Sequence, residues 1–344
     1  MPAHTSASVH VIGAGGIGCA VGYALRATDV PVTFVDADAG KVAWGKEHGV
    51  QVDRRRPLQA EFVSFNDWRP VPDSLVLLCT KCYDNRAVLD RLSVNVTLLP
   101  IQNGFDRDLD GLPAEGIASF VSECRPGQTS TRITRRGKLQ IGPRRAGGKD
   151  TTTRLARLLD ADILAGMGIR FDVVEDILPY KYTKLMYNAA ISPLAASTGL
   201  DNGQLLSVRP VRRLFFELIR ENHGILRAAG IPLGKIGPFH PDTVQRILSK
   251  AFVANALAWA FYPTLRGTYC SMSQDLPKGK TEIDYYNRHL IEVAGEHPCP
   301  LNRRIYDVVK RMEREHAQTG LHVVDELSGS TSKPSETDAA RRLR

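Results

Sequence analysis

Three polar residues recur at intervals of four in an otherwise apolar stretch: Lys184, Asn188 and Ser192. On a helix, this spacing places them on one face. A lysine ammonium can donate a proton to an oxygen that gains negative charge, and burial can tune the lysine pKa for that task. Such a stripe either bonds to neighbouring backbone or faces a cleft, and the sequence alone leaves both readings open. Lys181 competes with Lys184 for the role of the important lysine.

A second polar group lies nearer the C terminus, in Ser271-Met-Ser-Gln-Asp275 and Thr281-Glu-Ile-Asp284. Thr281 precedes an apolar periodicity that predicts a helix over 283–296, so Glu282 is expected in its first turn. The helix dipole favours carboxylates at that end. From the residues alone, Glu282 and Asp284 are therefore interpreted as complements of the helix start.

Polar residues also follow three predicted strands of the first half. Asp36 ends the second strand, Lys81 follows the third, and Gln102-Asn103 follows the fourth. Open α/β sheets bind ligands at the carboxyl ends of their strands. These side chains are candidates for contacts to cofactor or substrate oxygens, and a solvated lysine and an ordinary Asn-Gly turn are the alternatives.

A glycine-rich segment directly after the first predicted strand, Val9–Ile12, indicates a dinucleotide site. Gly13 allows the tight turn into a helix, Gly15 lets the backbone approach a pyrophosphate, and Gly18 lets the helix pack on the strand. Asp36 lies 18 residues after Gly18, near the position of a ribose-binding carboxylate. A glycine turn without a ligand is the alternative, and this context disfavours it. The candidate cofactor loop comprises Gly13, Gly15, Gly16, Ile17 and Gly18.

The elements around these residues change character along the chain. Strand-like and helix-like runs alternate through the first half, which predicts a parallel sheet with crossover helices. The runs Ile117–Val121 and Lys138–Ile141 are expected to extend that sheet. Helices are expected over Ala39–His48, ended by Gly49, and over Asp84–Leu92. Thr151–Ala161 is expected to be a helix capped by its threonines. The predicted fold class is α/β, with a Rossmann-type doubly wound sheet over 8–176.

Helical periodicity dominates after residue 176, which predicts an all-helical second domain over 177–320. Pro193 is expected to interrupt the helix that carries Lys184, and Thr243–Trp259 is predicted as one helix. The segment 328–344 is small and polar, and it is interpreted as a disordered tail.

Bulk composition narrows the class of protein. The chain has 344 residues and a net charge of +8, but its basic residues are dispersed without interleaved aromatic side chains, which disfavours a nucleic-acid partner. A field that attracts anionic ligands is the simpler interpretation. We expect no signal peptide, no membrane segment, a cytoplasmic location and no metal site, since Cys79-Thr-Lys-Cys82 has no second cysteine pair.

Together these motifs resemble the ketopantoate reductase (2-dehydropantoate 2-reductase) family over roughly residues 9 to 316. The segments on which the resemblance rests are Gly13-Ala-Gly-Gly-Ile-Gly18, Thr80-Lys81, Gln102-Asn103-Gly104, Lys184-Leu-Met-Tyr-Asn188, Ser271-Met-Ser-Gln-Asp275, Thr281-Glu-Ile-Asp284, Asn202-Gly203 and Pro300-Leu-Asn302. The resemblance implies a Rossmann domain, a helical domain and an active site in the cleft between them. It also implies reduction of the ketone of 2-dehydropantoate to pantoate, a precursor of pantothenate and coenzyme A, by a nicotinamide cofactor.

The resemblance also assigns catalytic roles. Lys184 becomes the general acid, Glu282 orients Lys184 or the substrate hydroxyl, and Asn188 positions substrate and nicotinamide. No metal is needed for this reaction.

Further roles concern binding. Asn103, Ser192 and Ser271 form the substrate-binding set, with Ser271 on the carboxylate. Lys81, Asn103 and Glu282 join the glycine loop and Asp36 as cofactor contacts.

Three departures from the family pattern bear on specificity. Ser192 stands where the family usually has a second asparagine, and Arg288 follows Asn287 where a glycine is common. The Arg288 side chain is expected to narrow the cleft or bind an additional anionic group. Asp36 stands where a basic residue meets the 2′-phosphate of NADP(H) in the family, so we expect a preference for NAD(H), with Lys41 and Lys46 as arguments for NADP(H).

Two other functions remain open. One is a reductase or dehydrogenase of the same fold acting on another 2-oxo or 2-hydroxy acid, which Ser192 and Arg288 motivate. The other is a non-catalytic NAD(P)-binding regulatory protein, which would need neither Lys184 nor Glu282. A large helical second domain is compatible with a homodimer.

Overall fold

Short apolar runs form the central strands of the first half, as seen in a computed structural model that describes residues 8–328. The strands are β1 (Val9–Ile12), β2 (Val32–Asp36), β3 (Gln51–Val52), β4 (Glu61–Ser64), β5 (Leu75–Leu78), β6 (Thr97–Pro100), β7 (Ala114–Ala118), β8 (Val121–Cys124), β9 (Ser130–Arg135), β10 (Gly137–Pro143) and β11 (Ile169–Val173). Five of them make a parallel sheet in the order β4-β2-β1-β5-β6. The predicted Rossmann-like sheet is confirmed.

Unbroken apolar sequence in the central strands follows from burial of both sheet faces. Alternate residues of a strand point to opposite faces, and β5 shows the division. Leu75 and Leu77 join the larger core, whereas Val76 and Leu78 join a smaller core that also holds Trp68.

The later strands do not extend the main sheet, so that prediction is wrong. A second sheet has the order β11-β10-β7, and a third has the order β3-β9-β8. Pro100 ends β6 and has no N–H to continue the ladder. An isolated bridge between Ile101 and Gly116 is the link that the structure shows between the first two sheets.

The helices of the first half are α1 (Gly16–Arg26), α2 (Ala39–His48), α3 (Asn85–Leu89), α4 (Gly148–Ala156) and α5 (Ala161–Gly166). The single helix predicted over 151–161 is wrong. Helix α4 begins at Gly148, so Thr152 lies inside it and its hydroxyl donates to the Gly148 carbonyl. Asp160 starts a new helix because its carboxylate accepts from the N–H groups of Asp162 and Ile163.

Helices dominate the rest of the chain, as predicted. They are α6 (Leu178–Thr198), α7 (Gln204–Ser207), α8 (Arg209–Ala228), α9 (Pro241–Leu248), α10 (Ala251–Leu265), α11 (Ser271–Asp275), α12 (His289–Ala294), α13 (Pro300–Glu315) and α14 (His322–Leu327). A π-helical turn, Asp284–Arg288, leads into α12. None of the helices within 8–328 is long and apolar enough to cross a bilayer.

Two helix predictions in this half are wrong. Helix α6 runs on through Pro193 instead of being interrupted. The helix predicted over 243–259 is divided between α9 and α10, because the Ser249 hydroxyl donates to the Arg246 carbonyl and so competes with helical hydrogen bonds.

The chain divides into an N-terminal unit that ends at Lys184 and a C-terminal unit that begins at Leu185. Helix α6 carries this boundary within it. The predicted tail, apart from Ser328, lies outside the described residues.

Candidate active site

The glycine loop has the geometry that its three glycines predict. Gly13 has φ = +96°, and a side chain there would meet the Cys79 carbonyl carbon at 2.9 Å. A side chain at Gly18 would overlap the Gly13 carbonyl oxygen. Both positions therefore require glycine, which holds the start of α1 close against the ends of β1 and β5.

Gly15 differs because a side chain there would meet no atom within 4 Å. It is the N-cap residue of α1, and this helix has neither a side-chain cap nor an acidic residue in its first turn. Free N–H groups and the positive end of the helix dipole form an anion site. The loop therefore fits the pyrophosphate of a dinucleotide, and Gly15 keeps the approach open.

Gly16 and Ile17 contribute through packing. A Cβ at Gly16 would stand 2.5 Å from the Ser122 hydroxyl oxygen, so strand β8 covers the first turn of α1 closely. Ile17 is partly buried against the larger core. Nothing in the local sequence around Ser122 predicted this contact.

Asp36 is fixed at the mouth of the loop. One carboxylate oxygen accepts from the Ala14 N–H at 2.7 Å, and the other accepts from the Asp38 N–H at 2.9 Å. Lys41 Nζ lies 3.8 Å from the first of these oxygens, whereas Lys46 is exposed. The carboxylate therefore stands where a ribose hydroxyl can donate to it, with one cation beside it.

Gln102 joins the ends of β5 and β6 rather than reaching for a ligand. It is buried, it donates to the Thr80 carbonyl at 2.9 Å, and it exchanges hydrogen bonds with Asn85. Asn85 also donates to Asp106 at 2.8 Å. Asn85 was missed in the sequence because it lies inside a predicted helix, where an asparagine is unremarkable.

Asn103 and Lys81 lie close in sequence to members of this network. The side-chain oxygen of Asn103 is buried and has no hydrogen-bond partner among the described residues. Burying an acceptor without a donor costs free energy, so a ligand donor such as a carboxamide or a hydroxyl fits there. Lys81 is half-buried at the start of the turn Cys82–Asp84.

The competition between the two lysines of α6 is resolved by their surroundings. Lys181 is buried, its ammonium lies 2.6 Å from Glu115 Oε2, and it stands 4.5 Å from the centre of the Phe105 ring. Arg144 approaches the other Glu115 oxygen at 3.5 Å. Lys181 therefore anchors α6 to β7, and this pairing leaves Lys184 as the lysine available for chemistry.

Lys184 has no such counter-ion within the described part of its unit. Burial, and to a smaller extent the positive charge of Arg135, lower the pKa of Lys184 to about 8. An amine with this pKa is still largely protonated at neutral pH and gives up its proton more readily than an ordinary lysine. The expected general acid therefore has the electrostatic setting that the role needs.

Amide side chains allow α6 to continue through Pro193. Proline has no N–H to donate to the carbonyl four residues earlier, and the side chain of Asn287 donates to that carbonyl, on Ala189, at 2.9 Å. Asn302 accepts from Asn287 at 2.9 Å and donates to Asn222 at 2.7 Å. The continuous helix keeps positions 188 and 192 on one face.

Asn188 is half-buried and Ser192 is buried on this helix. The Cys270 thiol donates to the Ser192 carbonyl at 3.4 Å, and Ser271 follows as the exposed first residue of α11. Within the C-terminal unit, the residue before Ser271 therefore contacts the backbone of Ser192.

Glu282 is 4% exposed and lies just before the π-helical turn. Tyr286 donates its hydroxyl hydrogen to Glu282 Oε2 at 3.1 Å, and the Thr281 hydroxyl accepts from the Ile283 N–H at 3.2 Å. The helix begins at Ile283. Glu282 therefore lies one residue before the helix and not in its first turn. Single π-helical turns within helices are frequent at functional sites.

Asp284 and Arg288 have structural partners. Asp284 accepts from Tyr306 at 2.8 Å and from Lys310 at 2.9 Å. Arg288 is exposed and lies 3.4 Å from Glu292 on its own helix. The structure gives no support to the expectation that Arg288 binds a further anionic group.

Comparisons with known proteins agree over most of the chain. Residues 9–145 match the family model "Ketopantoate reductase PanE/ApbA", and residues 176–313 match "Ketopantoate reductase PanE/ApbA C terminal". A 2-dehydropantoate 2-reductase from Pyrococcus horikoshii is 26% identical over 317 residues, covering 89% of this chain and 97% of that protein.

Solved structures show the same fold at lower identity. A ternary structure of D-mandelate dehydrogenase with NADH and anilino(oxo)acetate has a TM-score of 0.72 and 20% identity, covering 90% of this chain and 99% of the other. A dimeric ketopantoate reductase from Staphylococcus aureus has a TM-score of 0.66 and 17% identity, covering 90% of this chain and 100% of the other. With a Rossmann-like N-terminal part, a helical C-terminal part and both family models matched in order, the chain belongs to the ketopantoate reductase family of oxidoreductases.

Proposed function

We propose that this protein reduces the ketone of a 2-oxo acid to a hydroxyl group, with 2-dehydropantoate as substrate and (R)-pantoate as product. The observation that carries the proposal is Lys184, a lysine that has no carboxylate partner among the described residues of its unit and whose pKa is lowered to about 8. A dihydronicotinamide, when bound, supplies the hydride to the carbonyl carbon. The carbonyl oxygen takes a proton, so one ketone and one proton are consumed per reduced cofactor.

Lys184 would donate that proton. Its ammonium stabilises the negative charge that develops on the oxygen, and this stabilisation is largest in the transition state. The positive charge of Arg135 acts on the pKa of Lys184 in the same direction as burial. Solvent then returns a proton to the neutral amine before the next turnover.

Other residues would hold the reactants. The buried oxygen of Asn103 would accept from the cofactor carboxamide or the substrate hydroxyl. Asn188 would position the ketone, and Glu282, which accepts from Tyr286, would accept from a substrate hydroxyl. Ser192 and Ser271 would complete the substrate set, with Lys81 as a further cofactor contact.

We propose NADH rather than NADPH as the reductant. Asp36 stands at the ribose position, where a carboxylate accepts from a free 2′-hydroxyl and repels a 2′-phosphate. The similar fold of D-mandelate dehydrogenase was solved with NADH. Lys41, 3.8 Å from Asp36, works in the opposite direction.

A second candidate substrate is a bulkier 2-oxo acid. The serine at position 192 is shorter than the asparagine usual in the family, so it leaves more room and forms fewer hydrogen bonds. D-mandelate dehydrogenase, with its aromatic anilino(oxo)acetate, is an example of this fold with such a ligand.

One comparison tests these proposals. The purified protein is given NADH or NADPH with a panel of 2-oxo acids, and loss of dihydronicotinamide absorbance gives kcat/KM for each pair. We expect the highest value for 2-dehydropantoate with NADH. Faster reduction of an aromatic 2-oxo acid would show that 2-dehydropantoate is not the preferred substrate. A tenfold preference for NADPH would show that NADH is not the preferred reductant.

We also propose a cytoplasmic role in pantothenate synthesis and a homodimer. Phe252 and Trp259 lie seven residues apart on α10, hence on one face, and their exposed fractions are 85% and 72%. Light scattering should give a dimer mass that Trp259→Glu reduces to a monomer mass. A monomeric parent protein would refute the homodimer.

A further inference from the structure

Glu313 is a buried glutamate in the last turn of α13 that binds the residue preceding Glu282. Its Oε1 atom accepts from both the N–H group and the hydroxyl group of Thr281, each at 2.7 Å. Burial and the negative end of the helix dipole both disfavour a carboxylate at this position. Hydrogen bonds to a charged acceptor are stronger than those between neutral groups, so Glu313 fixes both the backbone and the side chain of Thr281.

The hydrogen bonds of Glu313 continue through Thr281 to the far side of Glu282. The Thr281 hydroxyl donates its hydrogen to Glu313, and its oxygen accepts from the Ile283 N–H at 3.2 Å. The residues immediately before and after Glu282 are therefore linked to each other and to the same carboxylate. This arrangement fixes the backbone from which the Glu282 side chain extends.

Lys310 joins the same arrangement to the π-helical turn. Its ammonium lies 2.6 Å from Glu313 Oε2 and donates to Asp284 Oδ2 at 2.9 Å. Asp284 lies two residues after Glu282 and also accepts from Tyr306 at 2.8 Å. Helix α13 thus holds the chain on both sides of Glu282.

The segment that leads to Thr281 has the backbone shape that this approach requires. Gly279 has φ = +71°, which favours glycine. A Cβ at this position would stand 3.2 Å from the Glu313 carbonyl oxygen and 3.1 Å from His316 Cε1. The glycine therefore lets the chain pass close to the end of α13, where the Glu313 carboxylate reaches Thr281.

We propose that Glu313 is a positioning residue that directs the Glu282 carboxylate toward the hydroxyl group of the substrate. This inference rests on the proposed function, in which Glu282 accepts from that hydroxyl. Hydrogen bonds weaken steeply when distance and angle depart from their preferred values. Tyr286 donates to one carboxylate oxygen of Glu282, and Glu313 acts at the other end of the side chain, through Thr281. Together they fix both ends of the Glu282 side chain.

The test compares two substrates that differ in that hydroxyl group. Trimethylpyruvate has the carbon skeleton of 2-dehydropantoate without the hydroxyl, so Glu282 has nothing to accept from it. We expect Glu313→Ala to lower the ratio of kcat/KM for 2-dehydropantoate to that for trimethylpyruvate roughly tenfold, because the hydrogen bond to the carboxylate is weakened. Glu313→Gln keeps an oxygen for Thr281 and should recover most of the ratio. An equal loss of kcat/KM for both acids would indicate a purely structural role and would overturn the proposal.

Glu315→Ala is the matched control, since it removes an exposed carboxylate from the same turn of α13. Its ratio should stay within about twofold of the parent. Thr281→Val provides a second route if Glu313→Ala does not fold, as judged by circular dichroism and Tm. It removes the hydroxyl that links Glu313 to Ile283 and should lower the ratio in the same direction. An unchanged ratio in the folded variants would overturn the proposal.

Hydrogen exchange keeps this test separate from the proposed reaction. Without any substrate, the amide hydrogens of Thr281 and Ile283 should exchange at least about tenfold faster in Glu313→Ala than in the parent or in Glu315→Ala. If the parent reduces neither acid, the proposed function fails, and the exchange rates still decide whether Glu313 fixes the backbone around Glu282. Unchanged exchange in Glu313→Ala would contradict that role directly. Faster exchange with an unchanged substrate ratio would limit Glu313 to stabilising the segment and would overturn the positioning role.

Discussion

Replacing Lys184 by methionine is the most informative single change in this protein. Methionine keeps a long unbranched side chain on α6 and removes the ammonium group. Loss of a general acid alone lowers rates roughly 100- to 10,000-fold, and loss of the charge beside the developing alkoxide adds to this. We therefore expect kcat to fall by at least about 1000-fold.

The pH dependence gives the same prediction a second, quantitative form. With a pKa of about 8, only about a tenth of the Lys184 side chains carry a proton at pH 9. The protonated form is the donor, so kcat should fall about tenfold per pH unit above 8. An ordinary lysine would delay this fall to above pH 10.5. Arg135→Gln should move the fall to higher pH, because removing a neighbouring cation favours protonated Lys184.

Stability provides a check that needs no substrate. The pKa of Lys184 is lower in the folded protein than in the unfolded chain, so protonation destabilises the fold. The shift from 10.5 to about 8 corresponds to about 3 kcal/mol. This penalty is absent above pH 10.5, grows as the pH falls, and is complete below pH 8. Lys184→Met should therefore unfold at higher urea than the parent at pH 7 but not at pH 11.

Fluorescence titration should show that Lys184→Met binds NADH as the parent does, within about twofold. A variant that keeps full activity would remove Lys184 from the mechanism. A parent rate that stays constant up to pH 10 would show that no group with a lowered pKa supplies the proton. Loss of NADH binding in the variant would indicate a structural role instead.

Three further changes test other parts of the account. Asp36→Ser should increase the preference for NADPH over NADH, measured as the ratio of their kcat/KM values, at least about tenfold, since it removes the charge that repels a 2′-phosphate. An unchanged ratio would show that Asp36 does not select the cofactor. Glu115→Leu should lower the free energy of unfolding by about 3–5 kcal/mol, because it leaves Lys181 buried without its partner. Adding Lys181→Met should restore much of this loss. A double variant as unstable as Glu115→Leu alone would argue against the ion pair. Asn287→Ala should lower the free energy of unfolding in urea by about 1–3 kcal/mol, because the Ala189 carbonyl loses its donor. The control Asn66→Ala, on the exposed surface, should lower it by less than about 0.5 kcal/mol. Equal effects would mean that the Asn287 amide does not compensate for Pro193.

Local sequence pattern predicted the parts of the fold that depend on neighbouring residues. Helix α2 was expected over 39–48 and has those bounds, because Asp38 caps its start and Gly49 ends it. The glycine loop follows equally from local sterics at Gly13 and Gly18. These features depend on short stretches of chain, so their signals are complete in the sequence.

Features that depend on distant partners were not predictable in this way. Pro193 reads as a helix breaker until Asn287, 94 positions later, is seen to satisfy the Ala189 carbonyl. Lys181 and Lys184 look alike in sequence, and Glu115 on a separate strand distinguishes them. Asp284 was read as a helix complement, but its main partners are Tyr306 and Lys310.

The candidate site shows the same difference between features set by local sequence and features set by distant partners. The residue types and their spacing predicted a proton donor, a dinucleotide loop and an amide at a strand end, and the structure supplies a lowered pKa, an open helix terminus and a buried acceptor for them. The roles assigned to these residues stay predictions until the variants above are measured.

Hydride transfer itself is the most direct measurement. NADH deuterated at the transferred position is incubated with the protein and 2-dehydropantoate, and the product is analysed by mass spectrometry. We predict pantoate that carries one deuterium at the carbon of the former ketone, formed in equal amount to the NADH consumed. Oxidation of NADH without deuterated pantoate, or no oxidation with any 2-oxo acid, would contradict the proposed reaction.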